Sequence, residues 1–273
     1  MSIVCKYMDT VTIFFGGDIC GTLGFKTALD VIPALIKDEK LDFVAVNGEN
    51  AADGCGVDAG QAELLFAAGV DVITGGNHSL ERFDVRETFG KNPRILCPAN
   101  YPSRIENGYV TLEKPHGRFT VINVQGREGM RPIDCPFQTV DRLLEHTPAG
   151  IAIVDFHAES VQEKEALAYY LDGRVSCVFG SHTHTQTTDE RILAGGTGYL
   201  TDAGMIGSYH SVIGGRAESS VVRSLTLVPQ PFVLETYGTA IFCGVIAVVS
   251  ADTYRTHSLK RIYRIIDLEQ KMS

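Results

Sequence analysis

The stretch VTIFFGGD, residues 11–18, decides how the rest of the chain is read. Five β-branched or aromatic residues in a row form a buried strand. Gly16 and Gly17 then break it, and the turn ends on the carboxylate of Asp18. The same figure recurs downstream. Asp42–Val46 is a strand that breaks at NGEN (47–50), and Val70–Thr74 one that breaks at GGNH (75–78). Gly150–Phe156 leads into DFHAE (155–159), and Val175–Phe179 into GSHTH (180–184). Helical spacing of apolar residues occupies the intervals, over Phe25–Lys37, Val57–Ala68, Leu80–Phe89, Pro136–His146 and Val161–Leu171. Alternating strands and helices predict a parallel sheet with helices packed on it. Gly108–Glu113 and Arg118–Val124, joined by KPHG, predict a hairpin. From Arg191 onward the pattern reads as short strands and glycine turns. No repeat or linker interrupts it, so a single α/β domain over residues 1–273 is expected, with two sheets and helices outside.

The bulk composition narrows the function classes. The 273 residues are 44% hydrophobic and 21% charged, enough for a full core and too apolar for disorder. The formal net charge of −9 opposes a protein that coats DNA or RNA. A small phosphate ester remains compatible, because bound cations invert the local field. The seven cysteines are odd in number and form no CxxC pair, so a secreted disulfide framework is not expected. The first residues read as a lead-in to a strand and not as a signal peptide. The apolar stretch Ile241–Val249 is too short for a membrane span. A cytoplasmic protein with no membrane partner is the expectation, and a homo-oligomer is compatible with it.

In open α/β sheets ligands gather at the carboxyl ends of the strands. Those ends here carry Asp, Glu, Asn and His. Each has a plain alternative: Asp18 as a turn former, Asn77 as a turn residue, a lone histidine as an ordinary hydrogen-bonding group. His182 and His184 weigh more, since residues two apart on an extended segment share a face. The recurrence of such ends in five strands is what points to one metal-binding cleft. Imidazole, carboxylate and amide oxygens suit Fe, Mn or Zn, and no thiolate cluster suggests a structural zinc site. One carboxylate can bridge two cations about 3.5–4 Å apart, which generate hydroxide at neutral pH and stabilise phosphoryl transfer. The glycine-rich run Gly17–Gly24 lacks the GxGxxG and GK[ST] patterns. Ser181 lacks the surroundings of a nucleophile elbow.

Gly17-Asp18, Gly76-Asn77-His78 and Gly180–His184 together resemble the calcineurin-like metallophosphoesterases. NGENAADGCG (47–56), DFHAE (155–159), EKEAL (163–167), GSHTHTQTTDERIL (180–193), DAGMIG (202–207) and SVIGG (211–215) are similar to its YmdB-type branch. The resemblance runs from about residue 11 to the C-terminal strands. It implies a four-layer α/β/β/α sandwich with two mixed sheets flanked by helices. It also implies two divalent or trivalent transition-metal ions, Fe or Mn with Zn as an alternative. Asp18, Glu49, Asn50 and His184 would hold one metal, and Glu49, Asn77, His157 and His182 the other. His78 would be the non-ligating catalytic group near the leaving oxygen. The histidine of the superfamily's Asp-x-His motif is replaced by Cys20, and the usual bridging Asp by Glu49. Two stretches depart from the branch: Ser79-Leu80 after the histidine, and Gly207–Gly214, where His210 stands in place of an acid. The implied activity is hydrolysis of a small phosphodiester, 2′,3′-cyclic nucleotides to 3′-nucleotides. A regulatory nucleotide-binding protein with slow turnover and a phosphomonoesterase or nucleotidase are compatible with the same residues.

Overall fold

The architecture comes from a computed structural model that describes residues 9–81, 91–102 and 107–267. Strand β1 (Thr10–Cys20) leads into helix α1 (Gly21–Glu39), followed by β2 (Phe43–Asn50), α2 (Ala59–Ala67) and β3 (Val72–Thr74). A hairpin of β4 (Tyr109–Lys114) and β5 (Gly117–Gln125) follows. Then come α3 (Pro136–His146), β6 (Ile151–His157), α4 (Val161–Tyr170) and β7 (Cys177–Ser181). The chain continues through β8 (Arg191–Ile192), β9 (Gly198–Leu200), β10 (Met205–Ser208) and α5 (Ala217–Thr226) to the long strands β11 (Thr239–Ser250) and β12 (Thr256–Asp267).

The strands form two mixed six-stranded sheets, β12-β11-β10-β1-β2-β3 and β4-β5-β6-β7-β9-β8. Period-2 alternation sorts their side chains into layers. Ile13 and Phe15 of β1, Phe43 of β2, Phe119 of β5, Ile153 of β6 and Phe179 of β7 fill one core between the sheets. Phe43 stacks on Phe119 across that space with ring centroids 4.5 Å apart. The alternate residues face outward under helices. Phe14, Val44 and Val46 pack with Ala28, Val31, Ile32 and Leu35 of α1 and Leu65 of α2. Ile122, Val124, Val154 and Phe156 pack with Val140 of α3 and Leu167 of α4. The four α/β/β/α layers follow from these three cores.

The core strands β1, β2 and β3 run parallel, as do β5, β6 and β7, so their carboxyl ends meet at one edge. At that edge β1 exchanges neighbours. It pairs with β11 through Gly16, then with β10 at Asp18 and Ile19. Gly17 sits at the exchange, where a Cβ would lie 2.0 Å from the carbonyl oxygen of Gly204. Any side chain there would push β1 off β10 and displace Asp18.

One expectation changes. Short strands and glycine turns do not describe the chain after Arg191, which contains α5 and two 12-residue strands. Strand β11 is nearly continuous in apolar residues because it is paired on both edges and covered on both faces. Helix α5 has no buried residue, and its apolar Val221, Val222 and Leu225 stay exposed. The helix expected over Leu80–Phe89 falls almost wholly outside the described residues. Among the described residues no helix is long and apolar enough to cross a membrane.

Candidate metal centre

The strand ends bring the seven expected ligand residues into one cleft. Asp18, Glu49, Asn50 and His157 are the last residues of their strands or close to them, held by ladder pairing and not by loops. Two groups of donor atoms lie within 4.8 Å of one another: Glu49, His157 and His182, and Asp18, Glu49 and His184. Glu49 belongs to both. Asn77 joins the first group through Oδ1, 2.9 Å from His157 Nε2, and Asn50 the second through Oδ1, 3.1 Å from His184 Nε2. Asp18, Glu49 and His157 are all but completely buried.

The expected extended geometry of His182 and His184 is not what places them. Both follow the end of β7 with positive φ, 101° and 62°. The loop is folded, so the two imidazoles address different donor groups instead of sharing one face. What holds this loop is Asp202. It accepts hydrogen bonds from Thr183 N at 3.1 Å and Thr183 Oγ1 at 2.9 Å, between the two histidines. Its charge is balanced by Lys164 Nζ at 2.7 Å, with both side chains buried.

The partners of each imidazole decide which nitrogen faces inward. Ser181 Oγ donates to Asp155 Oδ1 at 2.7 Å, so it accepts from His157 Nδ1 at 2.9 Å and leaves Nε2 toward the cleft. Asn47 Nδ2 donates to the same Asp155 at 3.1 Å. Glu159 lies 3.1 Å from His182 Nε2 and turns Nδ1 inward. The carbonyl of Ile213 accepts from His184 Nδ1 at 2.8 Å and turns Nε2 inward. Asn50 Nδ2 donates to Gly54 O, which fixes its Oδ1 on the cleft side.

These assignments leave acceptors facing acceptors. Inward lone pairs of His184 and Asn50 stand 3.1 Å apart. Asn77 Oδ1, His182 Nδ1 and Glu49 Oε2 converge on His157 Nε2 at 2.9, 3.1 and 3.2 Å. Asp18 Oδ1 is buried without any hydrogen-bond partner, although Oδ2 accepts from His182 N. A cation resolves all three conflicts, because each atom is a metal-ligand type. Gly76 keeps the space open: a Cβ there would meet Glu49 Oε2 at 2.2 Å and His157 Nε2 at 2.3 Å. The residues therefore fit a dinuclear transition-metal site.

In the metal-free protein a proton on His157 Nε2 takes the place of a cation at that point. Burial opposes both charges of the Glu49–His157 pair, yet each holds the other ionised: Glu49 falls to about 2 and His157 rises to about 9. Burial, then the neighbouring His157 charge, takes His182 down to about 3, and burial lowers His184. Both are neutral and ready to ligate. Burial raises Asp18 well above the ordinary carboxylate range.

His78 is not among these convergent donors. Its backbone N–H donates to Glu49 Oε2 at 3.2 Å, while the ring stands at the exposed rim with Nδ1 2.9 Å from Glu81. His210 lies exposed, edge-on against Tyr209. Glu81, Ser181, Asp155, Glu159, Lys164 and Asp202 were not assigned from the sequence. All but Glu81 lie inside the quoted motifs, where a carboxylate, hydroxyl or ammonium near a ligand was the available signal. Glu81 carried a weaker one, an acid three residues after His78.

The family model described as YmdB-like protein matches residues 14–262. A Bacillus subtilis (strain 168) protein named 2′,3′-cyclic-nucleotide 2′-phosphodiesterase is 37% identical over 255 residues, covering 92% of this chain and 96% of that one. The crystal structure of a phosphatase from Mycoplasma pneumoniae superposes with a TM-score of 0.89 at 29% identity, over 97% of each chain. That of a hypothetical protein from Thermus thermophilus superposes with a TM-score of 0.87 at 38% identity, over 93% of this chain and 99% of that one. With the family model spanning nearly all of the two-sheet core, the chain belongs to the YmdB-like family.

Proposed function

We propose that this protein is a metal-dependent phosphodiesterase that opens 2′,3′-cyclic nucleotides to 3′-nucleotides. The observation that carries the reading is Glu49, one buried carboxylate shared by two convergent donor groups. Asp18, Glu49, Asn50 and His184 would hold one cation, and Glu49, Asn77, His157 and His182 the other. Iron or manganese suits the mixed nitrogen and oxygen donors, and zinc also fits. When bound, the cations supply Lewis acidity to the phosphoryl group and to water. The chain's own contribution is positional. Ser181, Glu159 and the Ile213 carbonyl fix the inward nitrogens, and the Lys164–Asp202 pair clamps the histidine loop. His78 delivers a proton to the departing 2′-oxygen as water adds to phosphorus and the P–O2′ bond breaks. The shared core between the sheets supports one domain over residues 1–273.

Turnover of 2′,3′- and 3′,5′-cyclic nucleotides, a generic diester and a monoester, under defined metal loading, tests the reading. The cyclic 2′,3′ substrate should lead. A protein that prefers monoesters, or binds nucleotide without turnover, contradicts it. His78→Ala should keep its metal and lose about 10²–10³-fold in kcat. Wild-type turnover in that variant would remove His78 from the mechanism.

A further inference from the structure

A third group of metal-ligand atoms lies outside the buried centre, at its rim. Cys55 Sγ, His78 Nδ1 and a carboxylate oxygen of Glu81 all stand within 4.8 Å of one another. Glu81 Oε2 is 2.9 Å from His78 Nδ1 and 3.7 Å from Cys55 Sγ. Two separate pieces of backbone present these atoms. The chain after β2 folds on itself: Gly54 N donates to Asn50 O at 3.1 Å, Cys55 N to Ala52 O at 3.0 Å and Ala52 N to Gly56 O at 2.7 Å. Asp53, Gly54 and Gly56 take positive φ to allow this, and Cys55 is left half-buried beside Glu81. On the other piece Gly76 N donates to Ser79 Oγ at 2.8 Å and Glu81 N to His78 O at 3.2 Å, so one turn carries His78 and Glu81. Arg131 Nη2 takes Glu81 Oε1 at 3.5 Å, and Oε2 is the oxygen that faces the sulfur and the imidazole.

We propose that Cys55, His78 and Glu81 form a third cation site, for an exchangeable zinc ion, whose occupancy silences His78. Zinc bonds run about 2.3 Å to sulfur and about 2.0–2.2 Å to nitrogen and oxygen, so tetrahedral ligand atoms lie about 3.3–3.6 Å apart. The Cys55–Glu81 pair is already near that spacing, and the His78–Glu81 pair has to open by about half an ångström. Both side chains are more than a third exposed and have room to do so. Three protein ligands with water as the fourth make an open zinc site. Sulfur separates this group from the floor, where every donor is nitrogen or oxygen and iron or manganese also fits. A thiolate and a carboxylate together cancel the zinc charge, so the ion adds none beside the dinuclear centre. Its occupancy follows free zinc and is distinct from the resident metal content, which the buried donors set. The effect on turnover rests on the phosphodiesterase reading above, in which His78 protonates the departing oxygen. Zinc takes the Nδ1 lone pair and releases the Cys55 proton, and any Nδ1 proton, to solvent. The ring then keeps a proton on Nε2 that it could give up only by becoming an imidazolate, so O2′ is left without its acid.

Cobalt(II) is the probe, because it enters zinc sites and gives a thiolate-to-metal absorption band in the near ultraviolet that nitrogen and oxygen donors do not. Protein carrying manganese in the dinuclear centre is titrated with cobalt(II) and then with zinc. A thiolate band should rise to saturation, vanish as zinc displaces cobalt, and be absent from Cys55→Ser. Glu81→Ala should keep the thiolate and weaken the band's cobalt affinity at least about tenfold, the loss seen even when only an outer partner of a ligand is removed. On a 2′,3′-cyclic nucleotide, the zinc that abolishes the cobalt band should lower kcat about tenfold or more. Cys55→Ser should need on the order of 100-fold more zinc for the same inhibition, each protein being read against its own zinc-free rate. No thiolate band, or one that survives in Cys55→Ser, would remove the site. Zinc inhibition unchanged in Cys55→Ser would place the effect on the dinuclear centre and overturn the switch. If the wild type turns over no diester, the functional reading fails on its own, and the cobalt band still decides whether the rim holds a cation.

Discussion

Glu49 and His157 stand at the floor of the cleft with 1% and 0% of their side chains exposed, whereas His78 and Glu81 at its rim keep 37% and 35%. The floor is held by strand ends. Each of its groups has buried partners, from Ser181–Asp155 under His157 to the His78 N–H on Glu49. The rim is held by turns and by side-chain contacts that solvent reaches. Burial makes the floor's charges costly, so they have to be compensated by each other or by cations. The rim's charges remain solvated and can change partner during a reaction. Floor residues should therefore govern metal content and stability together, and rim residues turnover alone.

The sharpest way to break that division is Glu49→Gln. The amide keeps the shape but removes the charge that both donor groups share. Metal content measured by elemental analysis should fall for both sites, and turnover should drop about 10³-fold or more. If one full metal equivalent remains, Glu49 does not serve both groups. Next in size is Lys164→Met. It strips Asp202 of its buried counter-charge and should cost about 3–5 kcal/mol in denaturant unfolding. Because Asp202 clamps Thr183, metal affinity should fall with stability. A stable variant with normal metal content would show that the histidine loop needs no such clamp.

Much of the floor was legible in the sequence. A buried strand must be apolar, so a carboxylate or imidazole at its end stands out against the run before it. Asp18 after VTIFFGG and His157 after IAIVDF are examples. Division of the ligands between two groups was not derivable from spacing. It came with the family resemblance, and the folded, positive-φ loop of His182 and His184 gives its physical basis. The supports were less legible. Lys164 and Asp202 are 38 residues apart and meet because α4 packs on β7 and on its neighbour β9, which leads into Asp202. Helix α5 escaped because its apolar face, Val221, Val222 and Leu225, spans little more than one turn, too short a run to register as a helical period.

The floor also predicts a pH dependence. In the metal-free protein His157 carries a proton up to about 9, although burial opposes the charge, because Glu49 stabilises it. A metal ligated by Nε2 must displace that proton. Between pH 6 and pH 8 the affinity of the first donor group should rise about tenfold per pH unit, a slope of one proton. It should flatten once His157 is already neutral. Chelator competition at a series of pH values measures the slope. A flat profile over that range would mean that Glu49 and His157 do not form an ion pair in the metal-free state.

The smallest effect belongs to the outermost rim residue. Arg131 is 72% exposed and reaches Glu81 at 3.5 Å, a geometry that water and salt screen strongly. Glu81 keeps its hydrogen bond to His78 whether or not Arg131 is present. Arg131→Met should therefore leave metal content unchanged and alter kcat on a 2′,3′-cyclic nucleotide less than about threefold, the size expected of an exposed ion pair. Even that small change should fade at high salt. A loss as large as that of His78→Ala, insensitive to salt, would have another meaning. Arg131 would then contact the substrate itself, and the rim would begin one residue further out.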